Sequence, residues 1–160
     1  MSIRGGCNDR IALAASERAV CAALDLPDDP VERLFHAASS LREHRGDGHI
    51  TALMAEGIGG IEAHVLYALD LGMPAERFGR THHLPRTQLD AVVDGLRHRG
   101  LIGDDGWLSD RGRAVRQRVE TLTDVLATSP YDCLAPDELD ELIAALEPLA
   151  AALLAAQDFG

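Results

Sequence analysis

The sequence contains no lysine; its 15 basic residues are all arginine. That bias is the mark of a GC-rich coding sequence, as in high-GC bacteria, and carries no information about mechanism. Aromatic residues are only 4% of the chain, while apolar residues reach 46%, much of it Ala and Leu. This balance favours helix over sheet. The three cysteines, Cys7, Cys21 and Cys133, show no Cys-x-x-Cys spacing and are odd in number. They imply neither a disulfide framework nor a zinc ribbon, and read as free thiols in a reducing compartment. No apolar run approaches the roughly 18 residues that span a bilayer. The apolar stretch 11–24 is interrupted by Glu17 and Arg18, unlike a signal peptide. A soluble, cytoplasmic chain with no membrane partner is expected. No Gly-x-Ser-x-Gly, P-loop, Gly-x-Gly-x-x-Gly or Ser/His/Asp arrangement is visible, and no cofactor or metal is expected.

What is present is a chain of 160 residues with a formal net charge of −11, long enough to bury one real core. Apolar residues recur at helical spacing over residues 9–26. Asp29-Pro30-Val31-Glu32 then supplies an N-cap, a first-turn proline and a capping-box acid. A helix is predicted from there to about Arg45, broken by Gly46 and Gly48 and resuming over 49–56. Residues 61–71 are apolar on most sides, as a buried central helix would be. A short helix over 74–79 and a longer one over 85–99 follow, with Gly100 at the stop. Leu101-Ile102 and Trp107-Leu108, joined by Gly-Asp-Asp-Gly, predict a two-stranded wing. Ser109 caps a helix from Asp110 to about Thr128. A last helix runs over 136–157, and Pro148 is expected to kink or divide it.

The order helix, short helix, longer helix, wing, helix resembles a winged helix-turn-helix. Leu96, Gly100, Leu101, the Asp104–Gly106 wing tip, Leu108, Ser109 and Gly112 are similar to the MarR-type pattern of a recognition helix, a wing and "L-[ST]-x-x-G". A wider stretch, residues 32–155, resembles the C-terminal half of the SalK-like helix-turn-helix proteins of actinobacteria, some of which lie near specialised-metabolite pathways. The fold class implied is all-α with a small β-wing, flanked by N- and C-terminal helices. Residues 1–30, 31–128 and 129–160 are expected to pack as one domain. The resemblance also implies a further N-terminal half, which is short in this chain. A homodimer, or a heteromer with a chain carrying that half, is therefore the expected partner arrangement. Leu139, Leu142, Leu146, Leu149 and Leu153 form one apolar seam that suits either an interface or the core.

Residues 41–49, Leu-Arg-Glu-His-Arg-Gly-Asp-Gly-His, are the densest cluster of ionisable groups. If the glycines turn the backbone sharply, Arg42, Glu43 and Arg45 converge on an anionic small molecule, with His64 and Tyr67 facing the same space. His44 and His49 then move a proton near neutral pH, with Asp47 or Glu43 fixing a tautomer. The plainer reading is a solvated helix end with a surface ion pair. His44, Asp47 and His49 also suit a divalent ion in principle, but the spacing is no established ligand signature and the arginines oppose a cation.

DNA reading is the alternative. Arg86, Thr87 and Gln88 open the would-be reading helix. Between Arg77 and Arg118 there are nine Arg against five acids, a local +4, while the other six Arg and 21 acids give −15, for the total of −11. Asp90, Asp94 and the Asp104-Asp105 tip nevertheless oppose a phosphate backbone. Three functions follow as expectations. The chain is a half-molecule that pairs within a specialised-metabolite pathway, as a subunit of a biosynthetic enzyme complex; a MarR-like transcriptional regulator; or a non-catalytic subunit that stabilises an enzyme.

Overall fold

The computed structural model describes residues 27–157. The N-terminal helix expected over 9–26 lies outside the described residues. The chain divides into two compact units, residues 1–127 and 128–160.

In the first unit, helix α1 spans Pro30–Ala55. Asp29 caps it, its Oδ1 accepting from the backbone N–H of Val31 at 2.8 Å and of Glu32 at 3.0 Å. The 26-residue helix runs through Gly46 and Gly48 without a break, which corrects the expected interruption. Two mid-helix glycines cost about 1 kcal/mol each relative to alanine, and packing against a later helix outweighs that cost. Gly48 is buried, and a Cβ there would lie 3.1 Å from the Cβ of Leu126. Ala52, one turn on, is fully buried. The small residues let the two helices approach closely; they do not form a hinge. The stop comes at Gly57, at φ +65°, where Gly57 N–H donates to Met54 O and Ile58 N–H to Leu53 O.

Helix α2, Gly60–Asp70, is the central helix, burying Val65, Leu66, Ala68 and Leu69. Glu62 accepts from the Gly59 backbone N–H at 2.8 Å and fixes its start. The short helix expected over 74–79 is a pair of 3₁₀ turns, Ala75–Arg77 and Gly79–His83. The buried Thr81 hydroxyl ties them together by donating to the carbonyls of Ala75 and Phe78. Helix α3, Arg86–His98, ends at Gly100, which takes φ +70°. Helix α4 spans Asp110–Ala127.

The β-wing is the second correction. Among the described residues there is no strand and no sheet. Ile102 and Leu108 form a single antiparallel bridge, closed by Gly103 N–H to Trp107 O at 2.8 Å and Ser109 N–H to Leu101 O at 3.1 Å. Gly100 ends α3 and Ser109 opens α4 so close to the turn that no ladder can form between them. The region is an all-α helix-turn-helix unit with a pinned hairpin turn, not a winged one. Gly112 explains the rest of the sequence pattern. A Cβ at this position would lie 2.1 Å from the carbonyl oxygen of Leu101, so α4 can seat on the hairpin base only with glycine there. Ser109 Oγ donates to Gly100 O at 2.6 Å and accepts from Gly112 N–H at 3.0 Å.

One core serves this unit. Ala52, Val65, Leu66, Leu96, Leu101, Ile102, Leu108, Val115 and Val119 all lie within it, each large side chain contributing about 1.5–3 kcal/mol by burial. In the second unit a 3₁₀ turn, Ser129–Tyr131, precedes helix α5, Pro136–Gln157. That helix is not divided at Pro148. Its Leu142, Ile143, Leu146, Leu149, Leu153 and Leu154 are exposed. Among the described residues no helix is long and apolar enough to cross a membrane.

Candidate functional site

The continuous α1 sorts the residues of the 41–49 stretch by face. His44 and His49 point at α4. His44 Nε2 lies 3.2 Å from Leu126 O, and His49 Nδ1 lies 3.1 Å from Thr123 Oγ1. A carbonyl only accepts, so His44 donates from Nε2. The Thr123 hydroxyl donates to Val119 O at 2.7 Å, so its oxygen receives the proton of His49 Nδ1, and Nε2 is the lone-pair nitrogen of that ring. Burial pushes the His49 pKa below its ordinary value. Glu120 opposes that shift, and Arg45 and Arg116 reinforce it.

The two arginines of the stretch take different partners. Arg42, with a side chain 77% exposed, pairs with its neighbour Glu43. Arg45 reaches Glu120 at 3.4 Å and Asp124 at 3.3 Å on α4. Asp47 accepts the Thr51 hydroxyl through its backbone carbonyl at 2.9 Å. Arg116 then extends the chain of charges. It bonds Glu120 at 3.0 Å and Asp70 at 3.2 Å with only 13% of its side chain exposed, and its guanidinium lies 5.0 Å from the Tyr67 ring centroid. Tyr67 meets Phe78 edge-on at 5.2 Å, and His64 meets Phe78 at 6.2 Å. Groups of α4 therefore join His49, Arg45 and Tyr67 in a polar seam between helices, and His64 meets Tyr67 only through the shared Phe78 ring. Among the described residues no three His, Cys, Asp or Glu side chains form a group that could hold a metal ion.

Arg116, Glu120 and Thr123 were not among the site residues expected from the sequence. The usable signal was the spacing Arg116, Val119, Glu120, Thr123, which shares one helix face with a buried valine.

The reading helix has a different character. Arg86, Thr87 and Gln88 are exposed at the start of α3. Arg86 is turned back onto Asp90 at 3.1 Å, however, and Arg97 onto Asp94 at 2.8 Å. Beside this face a cavity of about 490 Å³ opens between α3, the first 3₁₀ turn and the hairpin turn. Leu69, Leu89 and Val93 give it apolar lining, and Glu76, Asp105 and Trp107 line it as well. The volume is in the range of small-molecule sites. Trp107 is 41% exposed, and its backbone N–H is held by Asp105 Oδ1 at 3.0 Å. Neither Glu76 nor Trp107 was singled out as a site residue; the hairpin motif hid the tryptophan as a structural residue.

The local +4 of this section also disappears in three dimensions. Six of its nine arginines, at 86, 97, 99, 113, 116 and 118, each pair with a carboxylate. Four of the acids, Glu56, Glu62, Asp70 and Glu120, come from outside the section or from the far part of α4. Arg118 holds the Glu56 carboxyl below its ordinary pKa mainly through their hydrogen bond, its two nitrogens 2.8 and 2.7 Å from the carboxylate oxygens.

Neither a curated protein nor a solved structure matches the chain. The model of a helix-turn-helix family matches residues 10–160, which takes in both described units, and the chain belongs to that helix-turn-helix family.

Proposed function

We propose that this helix-turn-helix protein is a small-molecule-binding module whose reading face is not used on DNA. One observation carries the reading: carboxylates engage six of the nine arginines in the section where a DNA reader keeps its free cations. Duplex affinity rests on releasing counterions from phosphates, and each arginine here would have to leave a carboxylate behind to do so. Exposed pairs are individually weak, about 0–1 kcal/mol, so the obstacle lies in the uncovered negative charge more than in the bonds lost. Asp104 and Asp105 at the hairpin tip are exposed and add to it. In this reading the His44, Arg45 and His49 seam fixes α1 against α4, and a ligand goes to the cavity beside α3.

The test is fluorescence anisotropy of a labelled random-sequence duplex over a salt series. The reading predicts no salt-sensitive binding. Binding at low salt that falls steeply as salt rises would overturn it in favour of the regulator.

A second reading concerns assembly. The exposed apolar residues of α5 favour a chain that pairs, with itself or with a second chain of a specialised-metabolite pathway, as the SalK-like resemblance implies. Light scattering coupled to size exclusion, alone and after co-expression with the product of a neighbouring reading frame, tests this. A monomer under both conditions refutes it.

A further inference from the structure

We infer that the cavity beside α3 binds an amphiphilic organic cation, an apolar body ending in an ammonium or guanidinium group. The inference rests on the small-molecule reading above and names its ligand class. The charges on the cavity wall are Arg86 and Arg97 against Glu76, Asp90, Asp94 and Asp105. Asp90 is matched by Arg86 and Asp94 by Arg97. Two cations against four carboxylates leave Glu76 and Asp105 without an ion-pair partner among the described residues, a charge of −2 on the cavity lining. Both line the same cavity, Glu76 from the 3₁₀ turn and Asp105 from the hairpin turn, so a cation held there answers both. Trp107 lines it too, and its partly exposed indole offers the aromatic face on which such a group is stabilised further. Leu69, Leu89 and Val93 also line the cavity and take an apolar body. An anion would meet two unmatched carboxylates, and a wholly apolar ligand would leave them desolvated without a partner.

The chain has a single tryptophan, so its fluorescence reports on this cavity directly. Three probes of one shape separate the contributions: 2-phenylethylamine, 2-phenylethanol and 3-phenylpropanoate. The full-length protein is titrated with each, following tryptophan emission, with calorimetry in parallel. The amine is expected to bind at least about tenfold more tightly than the alcohol, and the carboxylate not measurably. Glu76 is exposed, and Glu76→Gln is expected to weaken the amine about three- to tenfold while leaving the alcohol unchanged. Trp107→Leu, read by calorimetry, is expected to weaken the amine more than the alcohol. Equal binding of amine and alcohol, preference for the carboxylate, or an amine affinity indifferent to Glu76→Gln overturns the inference and leaves the small-molecule reading in place. No response to any probe also overturns it. The duplex titration, which uses none of these probes, decides the broader reading separately.

Discussion

Gly46→Ala and Gly48→Ala, two residues apart on one helix, should shift stability in opposite directions. At Gly46 no atom lies within 4 Å of where a Cβ would stand. The substitution therefore adds only the helix propensity of alanine and the smaller entropy of its unfolded chain, about 0.5–1 kcal/mol in favour of the fold. For a folded region of this size that is a rise in melting temperature of roughly 2–5 °C. At Gly48 the same gain is opposed. The new Cβ would lie 3.1 Å from the Cβ of Leu126 and 3.7 Å from the carbonyl oxygen of Thr123, whereas carbon–carbon contacts are optimal at about 3.5–4.0 Å. Helices α1 and α4 must then part by a few tenths of an ångström. That strains the His44–Leu126 and His49–Thr123 hydrogen bonds and the Arg45–Glu120 pair at once. Overpacking of this kind costs about 1–3 kcal/mol, so the net change is a loss of up to about 2 kcal/mol. Urea unfolding followed by Trp107 emission, which reports on the first unit, measures both. A destabilised Gly46→Ala would mean that the chain does turn sharply at this glycine, and the continuous helix, with the close-approach argument built on it, would fall.

Gly112→Ala should be far more severe. Its Cβ would lie 2.1 Å from a backbone carbonyl oxygen that cannot rotate away, so the loss should exceed about 3 kcal/mol or abolish folding. Circular dichroism checks it, and a variant as stable as the parent refutes the seating of α4 on the hairpin. The pH dependence follows from His49. Because burial lowers its folded pKa, the unfolded chain takes up the proton first as pH falls. Stability is thus unaffected well above about pH 6.5 and declines as the pH drops below it. His49→Gln should flatten that decline in urea midpoints between pH 7.5 and 5.5; an unchanged slope would remove His49 as its cause. Thr123→Val removes the acceptor of the His49 proton and should cost about 1–3 kcal/mol, with a milder loss for Thr123→Ser, which keeps the hydroxyl.

Why the sequence disclosed the helices so well and the site so poorly comes down to the range of the forces involved. The Asp29 cap, the apolar α2 and the Gly100 stop are local matters, decided within a turn or two, and each is found where the pattern puts it. Gly48 was misread because its cost is local but its compensation comes from Leu126, nearly eighty positions away in the chain, and Gly46 because a helix anchored at Gly48 and Ala52 carries it along. The wing was over-read for the converse reason: the Gly-Asp-Asp-Gly turn is real, but the residues flanking it are claimed by the ends of two helices. Charge shows the same divide most sharply. A tally along the chain gives the helix-turn-helix section a basic excess, yet Glu56, Glu62 and Asp70, contributed from α1 and α2 and their ends, cancel it in space. Electrostatic character belongs to a surface, and a surface is assembled from segments that a linear tally keeps apart. The same assembly brings Glu76 and Asp105 to one cavity with no ion-pair partner for either among the described residues, and neither residue, 29 positions from the other, carries any sign of it in its own neighbourhood of the sequence.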